Sequence, residues 1–206
     1  MSESTVQSTL ALPKKVCFVT IGATASFASL IHAVLTTGFF DALQKHQYTD
    51  LLVQYGKDGE DLYTRRLKEV QDTDFYAGLR VSGFGLDGAG LGRYMRLARG
   101  GENDGVEGVV VSHAGSGTIL DALRITVPLI VVPNEELLDN HQVELAEALA
   151  EQEYVVHGHI RDLPRALAEA EKLRRRQKEW PPVNSGVHRK PNGLAGVLDE
   201  EMGFLD

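Results

Sequence analysis

The stretch from Val109 to Gln142, VVVSHAGSGTILDALRITVPLIVVPNEELLDNHQ, constrains the fold more than any other part of the chain. Val109-Val110-Val111 is a short apolar run of the kind that fills the middle of a parallel sheet. Gly115-Ser116-Gly117 then turns the chain, and Thr118 to Arg124 carries residues suited to a helix. Pro128 to Val132 reads as the next buried strand, closed by Pro133, and Asp139-Asn140-His141-Gln142 opens a further helix. Amides at a helix start have no intrahelical acceptor, and the helix dipole adds partial positive charge beside them. A phosphate fits at such a turn. Both loops fall at the carboxyl ends of successive strands, where open α/β sheets bind ligands.

The rest of the chain repeats this alternation. Lys15 to Ile21 reads as a first strand, followed by the small-residue turn Gly22 to Ser26. Ser26 is expected to cap one helix from about Phe27 to Lys45, with Leu30, Ile31, Val34 and Leu35 on its buried face. Asp50 to Tyr55 and Leu79 to Gly83 read as strands on either side of a polar, exposed helix from Asp58 to Val70. Tyr94 to Ala98 is a short helix and Tyr154 to His157 a last strand. Asp162 caps a helix to about Lys178, ended by Pro181-Pro182. The basic run Lys172 to Arg176 is read as its solvated last turn, complementing the dipole. The expected fold class is therefore α/β, a Rossmann-like parallel sheet with helices on both faces. It spans residues 14–180, after a flexible leader at 1–13 and before a tail at 181–206 that is disordered or partner-binding.

Totals exclude several classes. A formal charge of −8 and a pI near 5.4 argue against a nucleic-acid binder, which shows a basic face. The single cysteine, Cys17, forms no internal disulfide and suits a reducing compartment. Residues 1–13 lack the charged start and apolar centre of a signal peptide. No window reaches the ~20 apolar residues that span a bilayer, so membrane attachment has to come from a partner. Gly83-Phe84-Gly85-Leu86-Asp87-Gly88 matches GxGxxG letter for letter, but it follows the third strand. Glycines 90 and 92 also discourage a helix where the motif needs one, so this is read as a surface loop.

Three chemistries compete for the central loops. Ala114-Gly115-Ser116-Gly117-Thr118 nearly makes a serine-nucleophile elbow, but the first glycine is alanine. Its acid and base would be the adjacent Asp139 and His141, or a base at His113, and two neighbours do not readily point a triad at one serine. His157 and His159 lie together at a strand end, with no cysteine or carboxylate spacing to complete a metal cage. A nucleotide-diphosphate site fits best. The amides of Gly115 to Thr118 take the diphosphate, with donors from the Ser116 and Thr118 hydroxyls. Asp121, one turn into the helix, is placed to accept from ribose hydroxyls, and Asn140, His141 and Gln142 from a sugar beyond the phosphates.

His113 to Thr118, then Pro128, then Asn140-His141-Gln142, resembles the carboxyl-terminal half of GT-B glycosyltransferases, of the family 28 type. The opening Phe18-Val19-Thr20-Ile21-Gly22-Ala23-Thr24 and the short length bring the likeness closer to the cytosolic, donor-binding subunits of that family. It covers roughly residues 15–165. The resemblance implies an inverting transferase subunit that moves N-acetylglucosamine from UDP-N-acetylglucosamine (UDP-GlcNAc) to GlcNAc-diphosphodolichol. It also implies an Alg14-like membrane-anchored partner, cytoplasmic residence with recruitment to the endoplasmic reticulum, and no cofactor or metal. By position, His113, Gly115, Ser116, Gly117 and Thr118 would hold the diphosphate, with Gly22, Thr24 and Ser26 approaching from the opposite side. Asp121 would hold the ribose, where relatives usually have glutamate, and Gln142 with His141 would contact the sugar. No residue stands out as the catalytic base, which the partner is expected to supply. The alternative is a stand-alone nucleotide-sugar-binding regulatory module without transferase activity.

Overall fold

The computed structural model describes residues 13–71, 78–101, 105–135 and 141–179. The tail, almost all of the leader, the Pro181-Pro182 stop, Asp139 and Asn140 lie outside these residues. Six parallel strands are β1 (Lys15–Thr20), β2 (Asp50–Gln54), β3 (Arg80–Phe84), β4 (Val106–His113), β5 (Leu129–Val132) and β6 (Val156–His157), in the order β3-β2-β1-β4-β5-β6. This is the doubly wound order, with its switch between β1 and β4. Seven helices accompany them among the described residues: α1 (Ala28–Val34), α2 (Thr37–Lys45), α3 (Glu60–Gln71), α4 (Gly92–Arg99), α5 (Ser116–Ile125), α6 (His141–Glu151) and α7 (Leu163–Glu179).

Side chains alternate across a strand, so each central strand supplies two cores. Cys17, Val19, Leu51, Val53, Val109, Val111, Ile130 and Val132 pack on one face with residues of α1, α2, α3 and α7. Phe18, Val110, Leu129 and Val131 pack on the other with residues of α4, α5 and α6. That double burial is why β1, β4 and β5 read as continuous apolar runs rather than alternating ones.

Two local expectations are corrected. The helix after β1 is not continuous: α1 ends at Val34, and the Thr36 hydroxyl accepts from Phe39 N at 3.3 Å to start α2. Thr36 here offers a side-chain cap that competes with helix continuation. Ser26 does not cap α1, whose N-cap is Phe27 with no side-chain bond, although Leu30, Ile31, Val34 and Leu35 are buried as expected. The glycine motif at 83–88 begins inside β3, and the next helix starts only at Gly92, so it has none of the strand-turn-helix geometry of a dinucleotide fingerprint.

The basic run on α7 is also not uniformly solvated. Glu171 is buried and accepts from Lys15 Nζ at 2.8 Å and from the Tyr48 hydroxyl at 2.8 Å, while its other oxygen pairs with Arg174. Lys15 also donates to His46 O at 2.9 Å and lies 4.3 Å from the Tyr48 ring centroid. Arg174 reaches on to Glu107 O. This cluster ties α7 to the amino ends of β1 and β4. Burial alone would push the Glu171 carboxyl up, but hydrogen bonds from Lys15 and Tyr48 and the charges of Lys15 and Arg174 hold it below its ordinary range.

Removing one partner of a buried pair leaves the other charge uncompensated, so Glu171→Ala should cost about 3–5 kcal/mol in chemical denaturation. Lys15→Met combined with Glu171→Leu should recover much of that. Because the folded carboxyl is depressed, its contribution is present above the ordinary carboxylate range and is lost as pH falls through the lowered value. A second expectation concerns the end of α5, where Thr126 sits at φ 58°, left-handed backbone that disfavours a β-branched residue. Thr126→Gly should stabilise by about 1 kcal/mol, read as a Tm rise of about 2–4 °C.

Candidate functional site

The site is built where β1, β4 and β5 end side by side. Its centre is His113, the last residue of β4. A Cβ placed on Gly22, in the loop after β1, would lie 2.4 Å from His113 Cε1. A Cβ on Gly115, in the loop after β4, would lie 2.2 Å from His113 Nε2. The imidazole therefore fills the gap between the two loops, and neither glycine has room for a side chain. Gly22 also bends the chain at φ 81°. Burial pushes the His113 imidazole below its ordinary value, against a smaller opposing effect of the Thr20 backbone, so the ring is neutral at pH 7. Its Nδ1 is buried and has no hydrogen-bond partner.

Beyond His113 the backbone opens into α5. The N-cap, Gly115, has no side chain to close the helix start. The first amide with a helical acceptor is that of Ile119, which donates to Gly115 O at 3.0 Å. Among the described residues, the amides of Ser116, Gly117 and Thr118 have no carbonyl acceptor. Ser116 and Thr118 are half-buried beside them, and Gly117 is exposed, with nothing within 4 Å of a Cβ built on it. Ile119 and Ala122 anchor the helix in the core below, so the amides stand on a rigid element. The result is a helix start with free donors and a positive dipole end, suited to a phosphate oxyanion.

The β5 loop joins through Asn134, a buried residue that sequence reasoning passed over. Its backbone amide donates to Gln142 Oε1 at 3.2 Å, and its side-chain amide donates to Ser26 O at 3.3 Å. Gln142 and Ser26 are thus tied to one another through Asn134. Gln54 was passed over as well: it closes β2, is buried, and bonds Thr20, Ile21 and Gly22. The one signal for it was a polar residue closing the apolar strand Leu51 to Val53, which needs partners once buried.

Other candidates are less engaged. Thr24 is exposed in the β1 loop. The Asp121 carboxylate is 57% exposed and lies 3.6 Å from Arg124, as an i,i+3 surface pair on α5. His141 opens α6 with its ring exposed and Nδ1 3.5 Å from Glu144. No hydrogen bond joins Ser116 to a histidine among the described residues, so the nucleophile arrangement is not assembled there. His157 and His159 stack at 4.5 Å, and no group of three metal-ligating side chains occurs among the described residues. A depression of about 300 Å³ between α6, β6 and α7 includes His157 in its lining but none of the diphosphate, ribose or sugar candidates, and another of about 540 Å³ beside Arg96, Arg99 and Val106 includes none of them either. No described helix is long and apolar enough to cross a membrane.

Known proteins resemble this chain in sequence and in fold. Residues 106–186 match the glycosyltransferase family 28 C-terminal domain. A UDP-N-acetylglucosamine transferase subunit ALG13 of Cryptococcus neoformans is 34% identical over 206 residues, covering 90% of this chain and 96% of its own. The subunit of the same name from Yarrowia lipolytica is 33% identical over 67% of this chain, which spans only 62% of that relative's length. Among solved structures, a solution structure of ALG13 superposes with a TM-score of 0.56 at 28% identity, over 81% of this chain and 87% of that one. MurG of Acinetobacter baumannii shares the fold, with a TM-score of 0.54 at 14% identity, over 81% of this chain and 42% of MurG. The chain belongs to the ALG13 family of UDP-N-acetylglucosamine transferase subunits.

Proposed function

We propose that this chain is the donor-binding catalytic subunit of a two-part inverting glycosyltransferase. It would move N-acetylglucosamine from UDP-GlcNAc to GlcNAc-diphosphodolichol, the second step of lipid-linked oligosaccharide synthesis for N-glycosylation. The observation that carries the reading is the open helix start at Ser116 to Thr118, with no carbonyl on its amides, facing the β1 loop across His113. Family membership supports the donor and the subunit character. On this reading the diphosphate lies between the α5 amides and the loop from Gly22 to Ser26. The His113 ring stands between these two walls. Asp121 lies outward on the same helix for the ribose, and His141 and Gln142 flank the sugar, with the neighbouring Asn140 outside the described residues.

In the reaction, the acceptor hydroxyl oxygen bonds to the anomeric carbon from the face opposite the diphosphate. The bond from that carbon to the phosphate oxygen breaks, and its electron pair leaves on UDP. Free amides and the dipole stabilise that growing negative charge without needing a metal ion. The hydroxyl proton goes to a base that we assign to the partner, an Alg14-like membrane-anchored subunit, because His113 is committed to filling the gap between loops. That partner would also hold this chain at the cytosolic face of the endoplasmic reticulum.

Radiolabel from UDP-GlcNAc should reach a short-chain GlcNAc-diphospholipid only when the chain and the membrane partner are combined. Transfer by the chain alone, or none by the pair, would refute the reading. Gly117→Asp is the informative variant, because that position has room for a side chain whereas Gly115→Asp would displace His113. It puts a carboxylate against the phosphates and should lower transfer about a hundred-fold or more, with partner co-purification unchanged. By NMR, His113 should titrate below the ordinary imidazole value of 6.5 in the free chain. UDP should move that titration upward, since a nearby anion favours the charged ring. Stability from the neutral ring is fully present above pH 6.5 and is lost as pH falls through the depressed folded value.

A further inference from the structure

We propose that Gln54, acting with Thr20, is a positioning residue of the diphosphate site, setting the Gly22 loop and, through the His113 ring, the Gly115 turn. The inference rests on the nucleotide-sugar reading and adds two residues whose side-chain bonds all stay within β1, β2 and the start of the β1 loop. Thr20 and Gln54 are register partners at the carboxyl ends of β1 and β2, and both are buried. Thr20 Oγ1 donates to Gln54 Oε1 at 2.7 Å, and Ile21 N donates to the same oxygen at 3.1 Å. Gln54 Nε2 donates to Gly22 O at 2.9 Å, and Gly22 N donates to Thr20 Oγ1 at 3.1 Å. Both lone pairs of the Gln54 carbonyl and one of its two N–H donors are thereby used.

The pattern exceeds what pairing of β1 with β2 needs. A strand buried this deeply would be satisfied by an apolar residue, and a buried carboxamide is costly unless it is hydrogen-bonded. Here they converge on Ile21 and Gly22, the two residues where the chain leaves β1 and bends at φ 81°. Gly22 in turn sits against His113, and His113 sits against Gly115, at the N-cap of α5. Gln54, Gly22, His113 and Gly115 thus form one run of rigid contacts from β2 to the free amides. A displacement of about 1 Å in groups that hold a reacting ligand can cost about a hundred-fold in rate, so such a run has something to protect.

Three variants of the full chain test it. Thr20→Val is nearly isosteric and removes the hydroxyl, Gln54→Met removes the carboxamide at similar length, and Thr20→Ser keeps the hydroxyl. In the chain without ligand, the Gly22 and Gly115 to Gly117 amide resonances should shift in Thr20→Val and Gln54→Met and stay in place in Thr20→Ser. Unmoved resonances at Gly115 to Gly117 in both of the first two would overturn the link. With the partner present, the inhibition constant of UDP against transfer should rise about ten-fold in those two and match the parent in Thr20→Ser. A lowered Tm with an unchanged UDP inhibition constant would reduce the pair to a structural role and overturn the proposal. A parent pair that transfers nothing would refute the transferase reading, and the ligand-free amide comparison then decides the link alone.

Discussion

Everything at the carboxyl edge depends on how closely β4 lies against β1. Gly108 makes that approach possible: a Cβ there would lie 1.9 Å from Val16 O, closer than any side chain allows. The pairing also shifts at this point, with Lys15 opposite Val106 but Cys17 opposite Val109, so β4 carries one extra residue as a bulge. From there the register runs without interruption to Thr20 opposite Ser112. A one-residue slip would exchange the two faces of β4, turning Val109 and Val111 out of one core and Val110 out of the other. It would also move His113 out of the gap between Gly22 and Gly115. The geometry of the Gly115 turn is thus settled at the opposite end of the strand.

Buried polarity in the described residues gathers at the two ends of the sheet, and the two ends are finished differently. At the amino end, Lys15, Tyr48 and Arg174 all bond Glu171, whose two oxygens are both taken, although Arg174 Nε is left without a partner. That end closes the molecule by fastening α7. At the carboxyl end, Thr20, Gln54 and Asn134 are also bonded, but their bonds serve to place loops. What those loops present is left incomplete: three amides at the start of α5 and a buried imidazole nitrogen without partners. The amides are open to water, and an anion can take the place of that water at a helix start.

The fold was legible because its determinants are local. Apolar runs at 16–19, 109–111 and 129–132, separated by glycine turns and helix-forming stretches, specify strand and helix without reference to distant residues. The free amides at Ser116 to Thr118 were legible for the same reason, as a consequence of a turn entering a helix. Gln54, Asn134 and Glu171 were not. Each earns its role from a partner far along the chain, such as Tyr48 with Glu171 across 123 positions or Ser26 with Asn134 across 108. No periodicity carries that information. Nor does residue type show that Asp121 and His141 have exposed side chains near neighbours on their own helices, Arg124 and Glu144.

An open helix start at the rim of a sheet holds an anion only weakly while water surrounds it. Charge interactions there run at a high effective dielectric, several-fold weaker than in a closed site. Gly117, Thr24 and Ser26 all lie exposed on this rim, so the described residues form one wall of a crevice. Stabilising a departing diphosphate, and keeping water from competing with an acceptor hydroxyl for the activated sugar, both call for a second wall. On the nucleotide-sugar reading, that wall comes with the partner that presents the lipid acceptor. Donor site and acceptor then meet only in the assembled pair, which keeps an exposed donor site from spending activated sugar on water. On that reading, the exposure of the amides themselves gives the partner its task.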